Sequence, residues 1–146
     1  MEVIYEDNHI IIVNKAVGEI VQGDRTGDIP LVETVRQYIK EKYAKPGNVF
    51  CGVVHRLDRP VGGLVVFAKT SKALARLNEM FREGKIKKTY WAITRGCPAE
   101  ESARLEGYIT SVERNNKSYY SLSPSDGAKR AALSYRLLAR GERYNL

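Results

Sequence analysis

A chain of 146 residues has the length of one domain, and its 43% hydrophobic and 28% charged content suits a globular fold with a core. The start, MEVIYEDNHIIIV, puts Glu2, Glu6 and Asp7 where a secretory leader would be basic, and no apolar run reaches bilayer-spanning length. No membrane partner is expected, a cytoplasmic setting is the default expectation, and the net charge of +7 suits either a polyanion partner such as nucleic acid or solubility alone.

VIYEDNHIIIVNK predicts a hairpin, two apolar runs around the turn-prone Glu6-Asp7-Asn8. Gly18 and the polar stretch Gly23 to Asp28 predict a loop. From Leu31 the period becomes helical, with Val32, Val35 and Ile39 on one face, and the helix should stop before Lys45-Pro46-Gly47. VVHRLDRPVGGLVVF, Val53 to Phe67, reads as two apolar strands joined by a charged Pro/Gly turn. Thr70 or Ser71 offers an N-cap to a second helix. Leu74, Leu77, Met80 and Phe81 share one of its faces, and Gly84 closes it.

KIKKTYWAITRG predicts a strand with Tyr90, Ala92 and Thr94 on one side and Trp91 and Ile93 on the other. Three alternating runs follow, around Leu105–Ile109, Ser118–Ser121 and Ala132–Leu137. Turn residues separate them at Arg114-Asn115-Asn116 and Pro124-Ser125-Asp126-Gly127. The class is α+β: a mixed, mostly antiparallel sheet with two helices.

The charge is uneven. Residues 1–73 carry 10 basic against 9 acidic side chains, and residues 74–146 carry 14 against 8. Cys51 and Cys97 stand far apart without a CxxC or a His-rich neighbour, so neither a metal site nor a disulfide framework is expected. GxxxxGK[ST] and GxGxxG loops are absent, which argues against a nucleotide cofactor, and with only His9 and His55 a nucleophile–His–Asp triad has few candidates.

That leaves Asp58 between Arg56 and Arg59, followed by Pro60 and Gly62-Gly63. Neighbouring guanidinium groups favour an ionised carboxylate, which acts as nucleophile or base. By spacing alone such a run is more often a solvated or locally paired turn than a catalytic centre, Tyr90 and Trp91 are ordinary core aromatics, and Lys85–Lys88 is a solvated segment leaving a helix.

His55-Arg56-Leu57-Asp58-Arg59-Pro60-Val61-Gly62-Gly63 resembles the HRLDxxTSG signature of the RluA-type RNA pseudouridine synthases. YEDNHIIIVNKAVGEIV is similar to that family's opening segment, with Asn14, Lys15 and Gly18 in register. The helix and the stretch after it resemble the family's K-x-Y-x-A strand, aligning Lys88, Tyr90 and Ala92. The resemblance covers essentially the whole chain and implies a pseudouridine synthase catalytic core over residues 1–146, without an N-terminal S4-type domain. It also implies isomerisation of a uridine in ribosomal or transfer RNA, with no cofactor and no metal.

Asp58 would be the catalytic carboxylate, attacking C1′ or the base or taking the C2′ proton. Tyr90 would stack on the uracil and assist proton transfer. Arg56 would hold the flipped nucleotide, and His55, Arg59, Lys88 and Lys15 would complete the RNA-binding set. The single acid suits this better than glycoside hydrolysis, which usually needs two spaced carboxylates.

Ala16 stands where the family usually has Pro, and Val61-Gly62 replaces the Thr-Ser of the signature. A late GRxHQIRxH-like motif has no counterpart before Leu146. The chain is therefore expected to lack the family's C-terminal part and to be inactive or weakly active as it stands. A non-catalytic RNA-binding module with a decayed site is the rival reading.

Overall fold

The structure, a computed structural model, describes residues 1–112 and 117–146. The turn expected at Arg114-Asn115-Asn116 lies outside the described residues. The chain divides into two units, Met1–Lys88 and Thr89–Leu146. No helix among the described residues is long and apolar enough to cross a membrane.

In the first unit the expected hairpin forms from β1 (Glu2–Glu6) and β2 (Ile10–Lys15). Its turn is set by Asp7, whose Oδ1 accepts from the His9 and Ile10 N–H groups at 2.7 Å each. The helix α1 (Leu31–Lys42) has no side-chain cap. Two of its orphan N–H groups, on Leu31 and Val32, donate instead to the carbonyls of Ile20 and Val21 at 2.8 and 3.2 Å.

Next come β3 (Gly52–Val53), β4 (Gly63–Ala68) and α2 (Ser71–Arg82). The Thr70 hydroxyl caps α2 by accepting from the Ala73 N–H at 3.1 Å. The sheet order is β1-β2-β4-β3, every pair antiparallel. The apolar stripe of α1 (Val32, Val35, Ile39) joins Ile11, Val13, Val65 and Phe67 in one buried core. The expected apolar face of α2 is drier at its start than at its end: Ala73 is buried, but Met80 is exposed.

A second polar knot ties this unit together. The Glu6 carboxylate accepts from Lys42 Nζ (2.7 Å), Lys69 Nζ (2.6 Å), Tyr38 OH (3.1 Å) and Tyr43 OH (2.8 Å). Burial alone would raise its pKa, but these four donors outweigh it and bring the carboxyl down to about 2.

Among its described residues the second unit has strands and no helix. β6 (Ser102–Val112) lies between β7 (Lys117–Ser121) and β8 (Lys129–Arg136), and the short β5 (Thr94–Arg95) pairs with β9 (Tyr144–Asn145). The α+β class with two helices stands, although the ladders are all antiparallel and fall into three sheets rather than one. Residues 85–96, expected to be a strand, pair only at Thr94–Arg95. Their alternation suits a ladder, but residues 85–93 find no ladder partner among the described residues, and Tyr90, Trp91 and Ile93 stay exposed.

Gly107 on β6 lets the Tyr120 ring lie across the backbone, with its hydroxyl donating to the Glu106 carbonyl at 2.9 Å. A Cβ at Gly107 would sit 2.4 Å from that ring and 2.8 Å from the Ser121 carbonyl.

Candidate active site

Residues 54–62 connect β3 to β4 and carry the charged run. Leu57 packs against the core while its neighbours Arg56 and Asp58 are exposed. Among the described residues no hydrogen bond or ion pair engages the Asp58 carboxylate or the Arg56 guanidinium.

The Asp58 backbone is held firmly. Val61 N–H closes a turn onto the Asp58 carbonyl at 3.0 Å, and Gly18 N–H donates to the Arg59 carbonyl at 2.8 Å. Beneath the turn lies Lys15, with 1% of its surface exposed. Its Nζ donates to the carbonyls of Val61 (2.6 Å), Ala16 (3.1 Å), Asp58 (3.2 Å) and Arg59 (3.4 Å). Burial is the chief cause that lowers the Lys15 pKa. Four carbonyl dipoles surround the ammonium and offset its loss of water.

Gly62 faces the Lys15 carbonyl, where a Cβ would come within 3.3 Å, and Gly63 takes a φ of +135° that side chains rarely adopt. The two glycines are what let the loop close on β2.

Arg59 does not face Asp58. Its guanidinium donates to Asp28 (2.7 Å), Thr26 (2.9 Å) and Asp24 (3.4 Å), pinning the polar loop after β2. A hydrogen bond from Thr26 is the largest cause lowering the Asp24 pKa, with Arg59 contributing less.

His55 is likewise committed. Val66 N–H donates to its Nε2 at 3.1 Å, and the ring stacks on Phe81 of α2 at 5.1 Å. Accepting at Nε2 requires the neutral ring, and burial first, then the Lys88 charge, depresses its pKa. The imidazole thus extends the sheet edge where β3 stops after two residues. Lys88 places its Nζ 6.0 Å from the centre of the Phe81 ring. Tyr90 belongs to the second unit and is exposed.

Of the residues expected to form the site, the structure gathers Lys15, Asp58 and Arg59 around one turn and His55 with Lys88 around Phe81. It gives Lys15, Arg59 and His55 partners within the protein. Spacing did not single out Gly18 or Leu57 as supports of this turn. The outward–inward alternation of Arg56, Leu57 and Asp58 is the signal that finds Leu57.

A groove of about 650 Å³ between the polar side of α1 and residues 47–51 does not include this turn in its lining. Among the described residues no cluster of three or more His, Cys, Asp or Glu is placed to hold a metal ion.

The model of the RNA pseudouridylate synthase family matches residues 9–146. The tRNA pseudouridine synthase C of Vibrio parahaemolyticus is 33% identical over 145 residues, which span 97% of this chain and 55% of that protein. The ribosomal large subunit pseudouridine synthase C of Buchnera aphidicola is 32% identical over 115 residues, 79% of this chain and 35% of that protein. The chain thus spans between about a third and just over half of the length of these relatives. In fold it resembles human RNA pseudouridylate synthase domain containing 4, with a TM-score of 0.80 over 99% of this chain and 56% of that one, at 21% identity.

Proposed function

This chain belongs to the RluA-type RNA pseudouridine synthase family, and from that premise we propose that it isomerises a uridine in structured RNA to pseudouridine through Asp58. The reaction breaks the N1–C1′ bond, turns the base and forms the C1′–C5 bond. The C5 proton leaves and N1 takes one up, so atoms balance without a co-reactant. The uridine must leave its stack to be reached, at a cost of about a few kcal/mol.

One observation carries the reading. The Asp58 carboxylate projects unpaired among the described residues, while its backbone is fixed by Lys15 below and Gly18 beside it. A carboxylate needed only for stability would be expected to have a partner. Arg56, exposed two residues before Asp58, is assigned the extruded nucleotide, and Tyr90 the stacking role by its place in the K-x-Y-x-A stretch. Lys15, Arg59 and His55 support this reading as positioning residues rather than as RNA contacts.

The test is tritium release from RNA labelled at C5 of uridine. Asp58→Asn is expected to lower turnover on the order of 10⁴-fold, the scale seen when a residue central to the chemistry is lost, while leaving RNA affinity intact. Undiminished release would refute the assignment. The rival reading, an RNA-binding module without chemistry, draws on the absence of an ion pair at the Asp58 carboxylate among the described residues. It requires that the unmutated protein bind RNA and release no tritium.

A further inference from the structure

We propose that one face of the β7-β6-β8 sheet is a docking surface for RNA backbone, governing affinity rather than chemistry. The choice of RNA as occupant rests on the function proposed above; the surface itself rests on register. Arg136 pairs across from Ser102 and Arg130 from Tyr108, so these side chains share a face with Arg104 and Glu106. The two oxygens of Glu106 confirm it, accepting from Arg104 Nε at 2.6 Å and from Arg130 at 2.8 Å.

The opposite face holds Leu105, Ile109, Leu133 and Tyr120 with Lys129 at its end, so the arginines gather on one side while the other is mainly apolar. Arg104, Arg130 and Arg136 there meet the single strand carboxylate of Glu106, and Arg136 has no ion pair among the described residues. Each guanidinium offers five donors in a planar fork suited to phosphate, and Glu106 uses only one from each of its two arginines. Tyr108 lies beside Arg130, giving the alternation of aromatic and cation that holds unstacked bases and backbone together. An acidic protein would match the charge but leave the aromatic without a role.

The test is anisotropy of a fluorescent RNA stem-loop titrated against salt. Replacing Arg130 and Arg136 together by Gln is expected to reduce the log–log salt slope by about 2 and to weaken binding on the order of tenfold near physiological salt, as two lost phosphate contacts require. Replacing both by Lys is expected to keep the slope. Glu106→Gln, which removes the only strand carboxylate of the face among the described residues, is expected to tighten binding several-fold.

An unchanged slope in the double Gln variant, or no tightening in Glu106→Gln, overturns the surface. So does displacement of the RNA by polyglutamate at equal charge concentration, which would assign the face to acidic protein. Asp58→Asn serves as the dividing control, since it is expected to bind with the slope of the unmutated protein. If the sheet variants change the slope while the unmutated protein releases no tritium, the surface stands and the isomerase reading falls. The reverse pattern removes the surface alone.

Discussion

The two units of this protein are built on different principles. Every buried hydrophobic side chain among the described residues lies in Met1–Lys88, where a four-stranded sheet and α1 enclose Ile11, Val35, Val65 and Phe67. Thr89–Leu146 has longer ladders, yet Leu105, Leu122, Leu133 and Trp91 remain exposed, and Gly107 and Asn145 are what it buries among its described residues. A ladder hydrogen bond contributes only about 1 kcal/mol net, because water competes for both partners. Burial of a Phe or Leu contributes about 1.5–3 kcal/mol. The first unit is therefore held by its core, whereas the second is shaped by register and keeps both sheet faces available for contact.

The largest effect that would sharpen this contrast comes from Phe67→Ala. Phe67 is wholly buried, so the substitution is expected to cost about 3–5 kcal/mol in urea melts followed by the helix ellipticity, since both helices lie in the first unit. The matching truncation Leu133→Ala is expected to stay within about 0.5 kcal/mol. Equal costs would break the distinction.

Glu6 comes next. Its folded value of about 2 lies below the ordinary 4.5, so the stability it adds is complete above pH 4.5 and lost as pH falls from there toward 2. Glu6→Gln is expected to cost on the order of 3 kcal/mol at neutral pH. The gap between variant and unmutated protein should close across that acid window. A gap that persists at pH 2 would show that the carboxylate's charge is not what stabilises the knot.

Gly107→Ala probes the second unit, where little else is buried. The new methyl must displace the Tyr120 ring and the Ser121 carbonyl, at about 1–3 kcal/mol, the range for overpacking. Hydrogen exchange of the β6 and β7 amides should quicken while those of β2 and β4 hold. Quickening in β2 and β4 as well would mean the units share one cooperative transition.

Much of the first unit was legible from residue pattern. The period of Val32, Val35 and Ile39 located α1 and its buried face, and Thr70 and Gly84 marked the two ends of α2. The strand expected over residues 85–96 was over-read, because alternation records which sides a chain offers and not whether a partner lies beside it. The charged turn was legible as a site only through resemblance. Arg59 neighbours Asp58 in sequence, yet it turns to Asp24 and Asp28, and the ammonium of Lys15 lies buried beneath carbonyls more than forty residues away. Such long-range pairings have no local signature.

The Lys15 contacts also make the Asp58 turn conditional. Lys15 stands opposite Gly63 at the end of a six-pair register that begins at Ile10 and Ala68, and its ammonium reaches the turn only while that register holds. A molecule whose β2–β4 pairing has opened cannot keep Asp58 in place, whatever the state of its helices. On the function proposed above, turnover that falls ahead of the helix signal along a denaturation curve would report the opening of that pairing.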